Sequence, residues 1–278
     1  MDFRKLCIVE PGSKPRLAKI DPNFAGREIA EADGRALTKD NVARMAKLQA
    51  RLYAEGRQSL LIVLQAPDAG GKDGVVRSLF SGMNPQGVKV TPFKQPTPAE
   101  AAHDFLWRAH APAPAKGEVA IFNRSHYESV LIVRVRKLAP RKVWSHYYER
   151  IADFEKLLEQ GGTRILKFFL HIDADEQLRR FKQRLDDPDR NWKISDSDYS
   201  ERALWDKYRK AYDDMLALTS ARRAPWHVIP ANHNWFRNLA VSSIVTQAME
   251  EMDFKLPAPK VDLDAIRAKY HAAAQGEA

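Results

Sequence analysis

Two rhythms of apolar residues alternate along this chain. From Asn41 to Glu55, the positions Val42, Met45, Leu48, Leu52 and Tyr53 recur at spacings of three and four, the stripe of an amphipathic helix that Gly56 ends. Five short β-type runs follow, at Leu60–Gln65, Val88–Phe93, Val119–Phe122, Ile165–Ile172 and His227–Pro230. Helical patterns separate them near Asp73–Met83, Pro98–His110, Arg141–Leu158 and Asp175–Leu185, with a long one at Tyr199–Thr219. Strands that alternate with helices predict parallel pairing through right-handed crossovers, with helices on both faces of a five-stranded sheet. Asp173 stands three residues before Glu176 and predicts a capping arrangement for the helix after the fourth strand.

The flanks lack such periodicity. Residues 1–40 mix Pro, Gly and charge and read as an extended arm lying on the domain or on a partner subunit. One α/β domain spans 41–256, and residues 257–278 form a polar, Ala-rich tail, a loosely attached helix with a frayed end.

Composition narrows the class. A hydrophobic share of 44% in 278 residues can fill a sizeable core. The longest apolar run, Leu60–Leu64, is strand length, so no bilayer span is expected. Met1–Lys5 shows no secretion signal, and the single cysteine, Cys7, excludes an internal disulfide framework; both fit a cytoplasmic protein. Lysine and arginine exceed aspartate and glutamate by 45 − 36 = 9. Such a surface attracts polyanions, and a phosphate polymer satisfies that physics as well as nucleic acid does.

Three segments carry chemistry. The first is the loop Ala66-Pro67-Asp68-Ala69-Gly70-Gly71-Lys72-Asp73-Gly74 between an apolar strand and a helix. Backbone N–H groups in such a loop form an anion-binding concavity, Gly70 and Gly71 permit its backbone angles, and Lys72 supplies a charge to the transferred phosphate. The match to G-x-x-x-x-G-K-S/T is imperfect, because Ala66 replaces the first glycine and Asp73 the magnesium-holding hydroxyl. The metal therefore needs another oxygen donor. Asp68 is the favoured one; Asp73 is the alternative ligand or a helix cap.

The second segment ends the third strand at Phe122-Asn123-Arg124-Ser125-His126-Tyr127-Glu128. Asn123 stands where such folds usually present an acidic ligand, Arg124 can clamp a phosphoryl group bidentately, and Glu128 follows one helical turn later. His126 and Tyr127 read as packing at the strand-helix corner. Glu128 has a structural alternative, a salt bridge to Arg124 or Arg134. The third segment, Arg179–Lys193, joins a basic helix to a Pro-interrupted turn. It reads as a lid over phosphates, with Arg180, Arg184, Arg190 and Lys193 as its cations, or else as a solvated basic helix.

Together these segments resemble polyphosphate kinase family 2, whose members carry A-x-D-A-G-G-K-D-G, F-D/N-R-S-x-Y and R-L-x-x-P-x-x-x-W-K; here they stand at Ala66–Gly74, Phe122–Tyr127 and Arg184–Lys193. The resemblance runs from about Asn41 to Phe254. The form of Phe122–Glu128 is similar to the subgroup that phosphorylates both nucleoside mono- and diphosphates.

The resemblance implies a P-loop kinase-like α/β/α sandwich of thymidylate-kinase type, with a helical lid at about 178–200. It implies reversible transfer of the terminal phosphate of inorganic polyphosphate to AMP and/or ADP, extending to guanine nucleotides. Mg2+ (or Mn2+) and a homodimer or homotetramer are implied as well, with neither nucleic acid nor membrane as partner. On this basis Asp68, Lys72 and Arg124 act on the transferred group, with Asp68 holding the metal. Ala69, Gly70, Gly71, Asp73 and Gly74 of the loop, with the four lid cations, bind polyphosphate, while Asn123 and Glu128 face the acceptor nucleotide. The rivals are an ATP-dependent nucleoside monophosphate kinase of the same fold and a basic nucleic-acid-binding module. The first should keep the intact G-x-x-x-x-G-K-S/T loop. The second should interleave aromatic and basic residues on a sheet face.

Overall fold

The computed structural model describes residues 1–26 and 28–275. Its strands are β1 (Ile8–Val9), β2 (Ser59–Gln65), β3 (Val88–Pro92), β4 (Val119–Asn123), β5 (Thr163–His171) and β6 (Trp226–Pro230), in the sheet order β1-β6-β5-β2-β4-β3. The five strands read from the sequence pair in parallel. The sheet is nevertheless mixed and six-stranded, because Ile8 and Val9 add an antiparallel edge beside His227 and Trp226. Two residues cannot show an alternation, so this strand left no periodic signal.

Central β2 explains the layering. Leu60, Ile62 and Leu64 point into one core with Met45, Leu52, Val75, Leu79 and Leu239. Leu61 and Val63 point into the other with Val130, Ile151, Phe154 and Met215. Burial on both faces is why the strand reads as an unbroken apolar run. The result is the three-layer sandwich.

Several helices differ from the periodic reading. The first long helix runs Glu31–Glu55, ten residues earlier than expected; its first turns are largely exposed and carry no stripe, while Glu31 and Asp33 suit the positive end of the helix dipole. Gly56 caps it in the left-handed conformation at φ 62°. The arm lies on its own domain: Phe3 and Cys7 join the core, and the Leu17 N–H donates to Asp213 at 2.8 Å. The patterns at Pro98–His110, Arg141–Leu158 and Tyr199–Thr219 each divide into two helices, at Pro98–Ala101 and Trp107–His110, at Arg141–Trp144 and Tyr147–Gln160, and at Asp196–Arg202 and Trp205–Thr219. The helix Asn234–Glu251 went unread because it is buried nearly all round and shows no single stripe. Asp173 caps its helix as expected, accepting from the Glu176 N–H at 2.7 Å. The tail carries an exposed helix at Leu263–Ala274, while the end of the expected fraying segment, residues 276–278, lies outside the described residues. Among the described residues no helix is long and apolar enough to cross a membrane.

Candidate active site

Parallel pairing of β2 with β4 sets Leu64 beside Asn123, so the loop after one strand and the corner after the other meet at the same edge of the sheet. Gly71 sits at φ 98°, an angle that favours glycine, and a Cβ there would fall 2.2 Å from Nη1 of Arg237, so a side chain at this position would have to displace the guanidinium. Ala69 holds φ 59° and Arg124 φ 60°, left-handed angles that the surrounding bonds must enforce on residues with a Cβ. For Arg124 one of those bonds runs from its N–H to the Leu64 carbonyl at 3.1 Å.

Lys72 opens the following helix, Lys72–Val75, and its buried ammonium folds back to donate to the Ala66 carbonyl at 3.0 Å and the Pro67 carbonyl at 3.3 Å. Burial, then the nearby Arg124 charge, pushes its pKa down to about 8. Asp68 Oδ1 accepts from Arg124 Nη2 at 2.6 Å, which brings together two of the residues expected to act on the transferred group. Gln177 Nε2 donates to the Asp68 carbonyl at 3.0 Å and steadies the loop from the lid helix Ala174–Asp186.

Asp73 does not cap the helix. Its carboxylate accepts from Asn123 Nδ2 at 2.8 Å and from Lys193 Nζ at 3.2 Å, tying together loop, β4 and lid; these bonds, against the effect of burial, leave its pKa lowered. Glu128 lies in the same cleft. Burial raises its carboxyl pKa, opposed by Arg124 and Lys72. Neither of its anticipated salt bridges forms among the described residues, since Arg124 pairs with Asp68 and Arg134 with Asp214 at 2.7 Å.

The four lid cations part ways. Lys193 reaches the loop through Asp73. Arg190 pairs with Asp187 at 2.7 Å on the exposed turn. Arg184 bonds the Lys193 carbonyl at 3.2 Å and lies 3.6 Å from Asp198, bracing the turn from inside. Arg180 is not on an open phosphate-facing side: it is buried, with Nε on Glu176 at 2.5 Å, Nη1 on the Ala69 carbonyl at 2.9 Å and Nη2 on the Ala231 carbonyl at 2.5 Å. Glu176, one turn earlier, draws that face of the helix inward. His126 and Tyr127 are packing residues, as read. The Tyr127 hydroxyl donates to Glu155 at 2.7 Å, beside the buried pair of Lys167 and Glu155.

From Asp68, Arg124 and Glu128 a cavity of about 1580 Å³ extends to Phe93, Phe105 and Tyr147, where Phe105 stacks on Tyr147 at 4.0 Å. Charged and aromatic side chains line it together: the Arg108 guanidinium lies over the Phe93 ring at 5.2 Å, and Tyr208 and Tyr212 share the lining with Asp68 and Glu128. Sequence reasoning missed Gln177 and Arg237, the residues behind the loop. The available signal for Arg237 was its place in the first turn after the last parallel strand, at the edge where such sheets bind ligands.

A model of the polyphosphate kinase 2 family matches residues 28–257. The chain belongs to this family. It is 47% identical over 262 residues to the AMP/ADP-polyphosphate phosphotransferase of Meiothermus ruber, covering 93% of this chain and 97% of the relative. The ADP-polyphosphate phosphotransferase of Rhodopseudomonas palustris is 41% identical, with 86% of each chain covered. The crystal structure of polyphosphate kinase 2 from Arthrobacter aurescens TC1 superimposes with a TM-score of 0.93 at 42% identity, covering 97% of this chain and 96% of that one. Asp73 of the loop bonds Asn123 of the β4 corner at 2.8 Å and Lys193 of the lid segment at 3.2 Å, so these three motifs meet through one carboxylate.

The donor set suits a hard divalent cation. Among the described residues no three His, Cys, Asp or Glu side chains cluster to cage a metal. Mg2+ needs no such cage, because it keeps several waters and takes one or two carboxylates with phosphate oxygens. Asp68 fits that role, with Oδ1 held by Arg124 and Oδ2 left without a protein partner among the described residues.

Proposed function

We propose that this polyphosphate kinase 2 family member transfers the terminal phosphate of inorganic polyphosphate to AMP and to ADP, reversibly and with Mg2+, for which Mn2+ can substitute. The observation that carries the reading is one continuous cleft. In it the Asp68–Arg124 pair and Glu128 line a cavity with aromatic walls, and the Lys72 ammonium, buried in the adjoining loop, bonds the carbonyls of Ala66 and Pro67, which line the same cavity. The names of the Meiothermus and Rhodopseudomonas relatives, with acceptors AMP/ADP and ADP, support it. Guanine nucleotides as further acceptors and a homo-oligomeric state belong to the same proposal.

In this mechanism the terminal phosphate of polyphosphate lies in the loop of Gly70, Gly71, Lys72 and Gly74. An oxygen of the nucleotide's terminal phosphate attacks its phosphorus in line. The bond to the bridging oxygen breaks, and a chain shorter by one phosphate leaves. The attacking oxygen is already ionised at neutral pH, so no strong base is needed, and positioning and electrostatics supply the catalysis. Lys72 and Arg124 gather the oxygens of the transferred group, and Lys193 holds the lid on the loop through Asp73. Asp68 would hold Mg2+, which would supply neutralisation of the phosphate charge.

The deciding experiment incubates the purified chain with polyphosphate and either AMP or ADP, without ATP, in Mg2+ and then in excess EDTA. The expected outcome is ADP from AMP and ATP from ADP, both lost with EDTA. Turnover of AMP only when ATP is supplied would instead make it an ATP-dependent nucleoside monophosphate kinase.

A further inference from the structure

Behind the phosphate loop lies a cation that the mechanism above does not use. Arg237 is 4% exposed, yet it hydrogen-bonds only neutral amide oxygens, Asn234 Oδ1 at 2.6 Å from Nη1 and Asn238 Oδ1 at 2.8 Å from Nη2 and 3.1 Å from Nε. Among the described residues it forms no pair with a carboxylate, and the charged neighbour that acts on it is another buried guanidinium, that of Arg180. Glu176, which bonds the neighbouring Arg180, is already shared by Arg179 and Arg180.

The Arg237 guanidinium also lies against the loop backbone. A Cβ at Gly71 would meet Nη1 at 2.2 Å, and one at Gly74 would lie 3.3 Å from Nη2. Arg180 meets the same loop segment through the Ala69 carbonyl at 2.9 Å. Burying a cation without a counter-charge is unfavourable, and its pKa falls to about 9 in response. A fold that keeps such a group needs something to offset it, and the anion that arrives on the far side of Gly71 does so.

We infer that Arg237 is a positioning residue for phosphoryl transfer: it props the phosphate loop at Gly71 and holds a fixed positive charge behind it that bound polyphosphate neutralises. This rests on the reading that the loop receives the transferred phosphate. Because the charge is in place before the substrate arrives, no reorganisation is required at the moment of binding. A side chain at Gly71 would then disturb the loop twice, through the left-handed angle and by displacing the guanidinium. Arg237 acts through the loop and, being buried, does not itself touch substrate.

The test compares Arg237→Met, Arg237→Lys and Lys72→Met in the full chain, using polyphosphate of defined length and AMP. Two readouts are taken, the KM for each substrate and the shift of Tm on adding polyphosphate. Arg237→Met should raise the polyphosphate KM at least about tenfold, the scale of one lost charge interaction, with the AMP KM nearly unchanged. Its polyphosphate-induced Tm shift should shrink while the Tm of the free protein does not fall, since an uncompensated buried charge has been removed. Arg237→Lys, which keeps the charge, should recover part of both.

The ratio of the two KM values decides. If it is unchanged in Arg237→Met, Arg237 is only a packing residue and the inference is overturned. Should that variant not fold, the ratio in Arg237→Lys is read in the same way, since loss of the planar fork must still weaken polyphosphate selectively. Lys72→Met separates the two ideas. If it also responds normally to polyphosphate, the loop is not the phosphate site; if it loses the response while Arg237→Met retains it, only the role of Arg237 fails.

Discussion

Replacing Lys72 by Met, or titrating it, should move activity and stability in opposite directions. Its ammonium is buried and already turned into the loop, 3.0 Å from the Ala66 carbonyl. At about 3 Å from a phosphoryl oxygen, with an effective dielectric constant of about 20, one unit charge interacts by roughly 5 kcal/mol, an upper bound. Removing one preorganised donor from such a site typically lowers turnover by about 10²–10³-fold. Lys72→Met should therefore lose at least about 100-fold in kcat/KM for polyphosphate.

The pH dependence follows from the same group. With its pKa at about 8 rather than 10.5, Lys72 is charged below that pH and neutral above it. Wild-type kcat/KM for polyphosphate should fall above pH 8 by about tenfold per unit, a limb that Lys72→Met should lack. Stability runs the other way. The native chain binds fewer protons than the unfolded chain between pH 8 and 10.5, so deprotonation relieves the burial penalty in that window. This group then adds on the order of 3 kcal/mol of stability as pH rises through it. Initial rates of ATP formation from ADP, quenched and read at one pH, give the first profile. Urea unfolding of the free protein over the same range, wild type against Lys72→Met, gives the second. A wild-type rate that stays flat to pH 10, or a Met variant with near-normal turnover, would refute the placement of this charge on the transferred phosphate.

Two further substitutions examine the acidic groups. Asp68→Asn should behave as metal starvation, with activity partly restored by raised Mg2+ or Mn2+; a metal titration identical to wild type would move the ligand role to Asp73 or elsewhere. Glu128→Asn should depress AMP phosphorylation more than ADP phosphorylation, changing their ratio by roughly tenfold, or about 1.4 kcal/mol. Since Glu128 has lost both anticipated salt bridges to other pairings, a merely structural role would instead lower both rates together along with Tm, and an unchanged ratio in parallel initial rates would end the idea of acceptor selection.

Much of this protein was legible in local pattern. Leu60–Gln65 had to be a strand covered on both sides, because an apolar run of that length leaves no polar face for solvent. The strand-loop-helix order around Gly70, Gly71 and Lys72 encodes a phosphate cradle in nine consecutive residues, and Asp173 announced its helix in four. Such features depend on neighbours in the chain, so the sequence itself carries them. What remained hidden depends on partners far apart. Ile8 and Val9 are a strand only because β6 offers them an edge, and Asn234–Glu251 is a helix whose all-round burial erased the stripe that would have marked it. Arg180 and Arg184 look alike in sequence, one turn apart on one helix. Only the fold turns the first onto the loop carbonyl of Ala69 and the second onto the lid turn at Lys193. Arg237 meets Gly71 from more than 160 residues away, a contact that no spacing rule contains, because it is set by how the helix Asn234–Glu251 packs against Glu31–Glu55 and the strands β5 and β6.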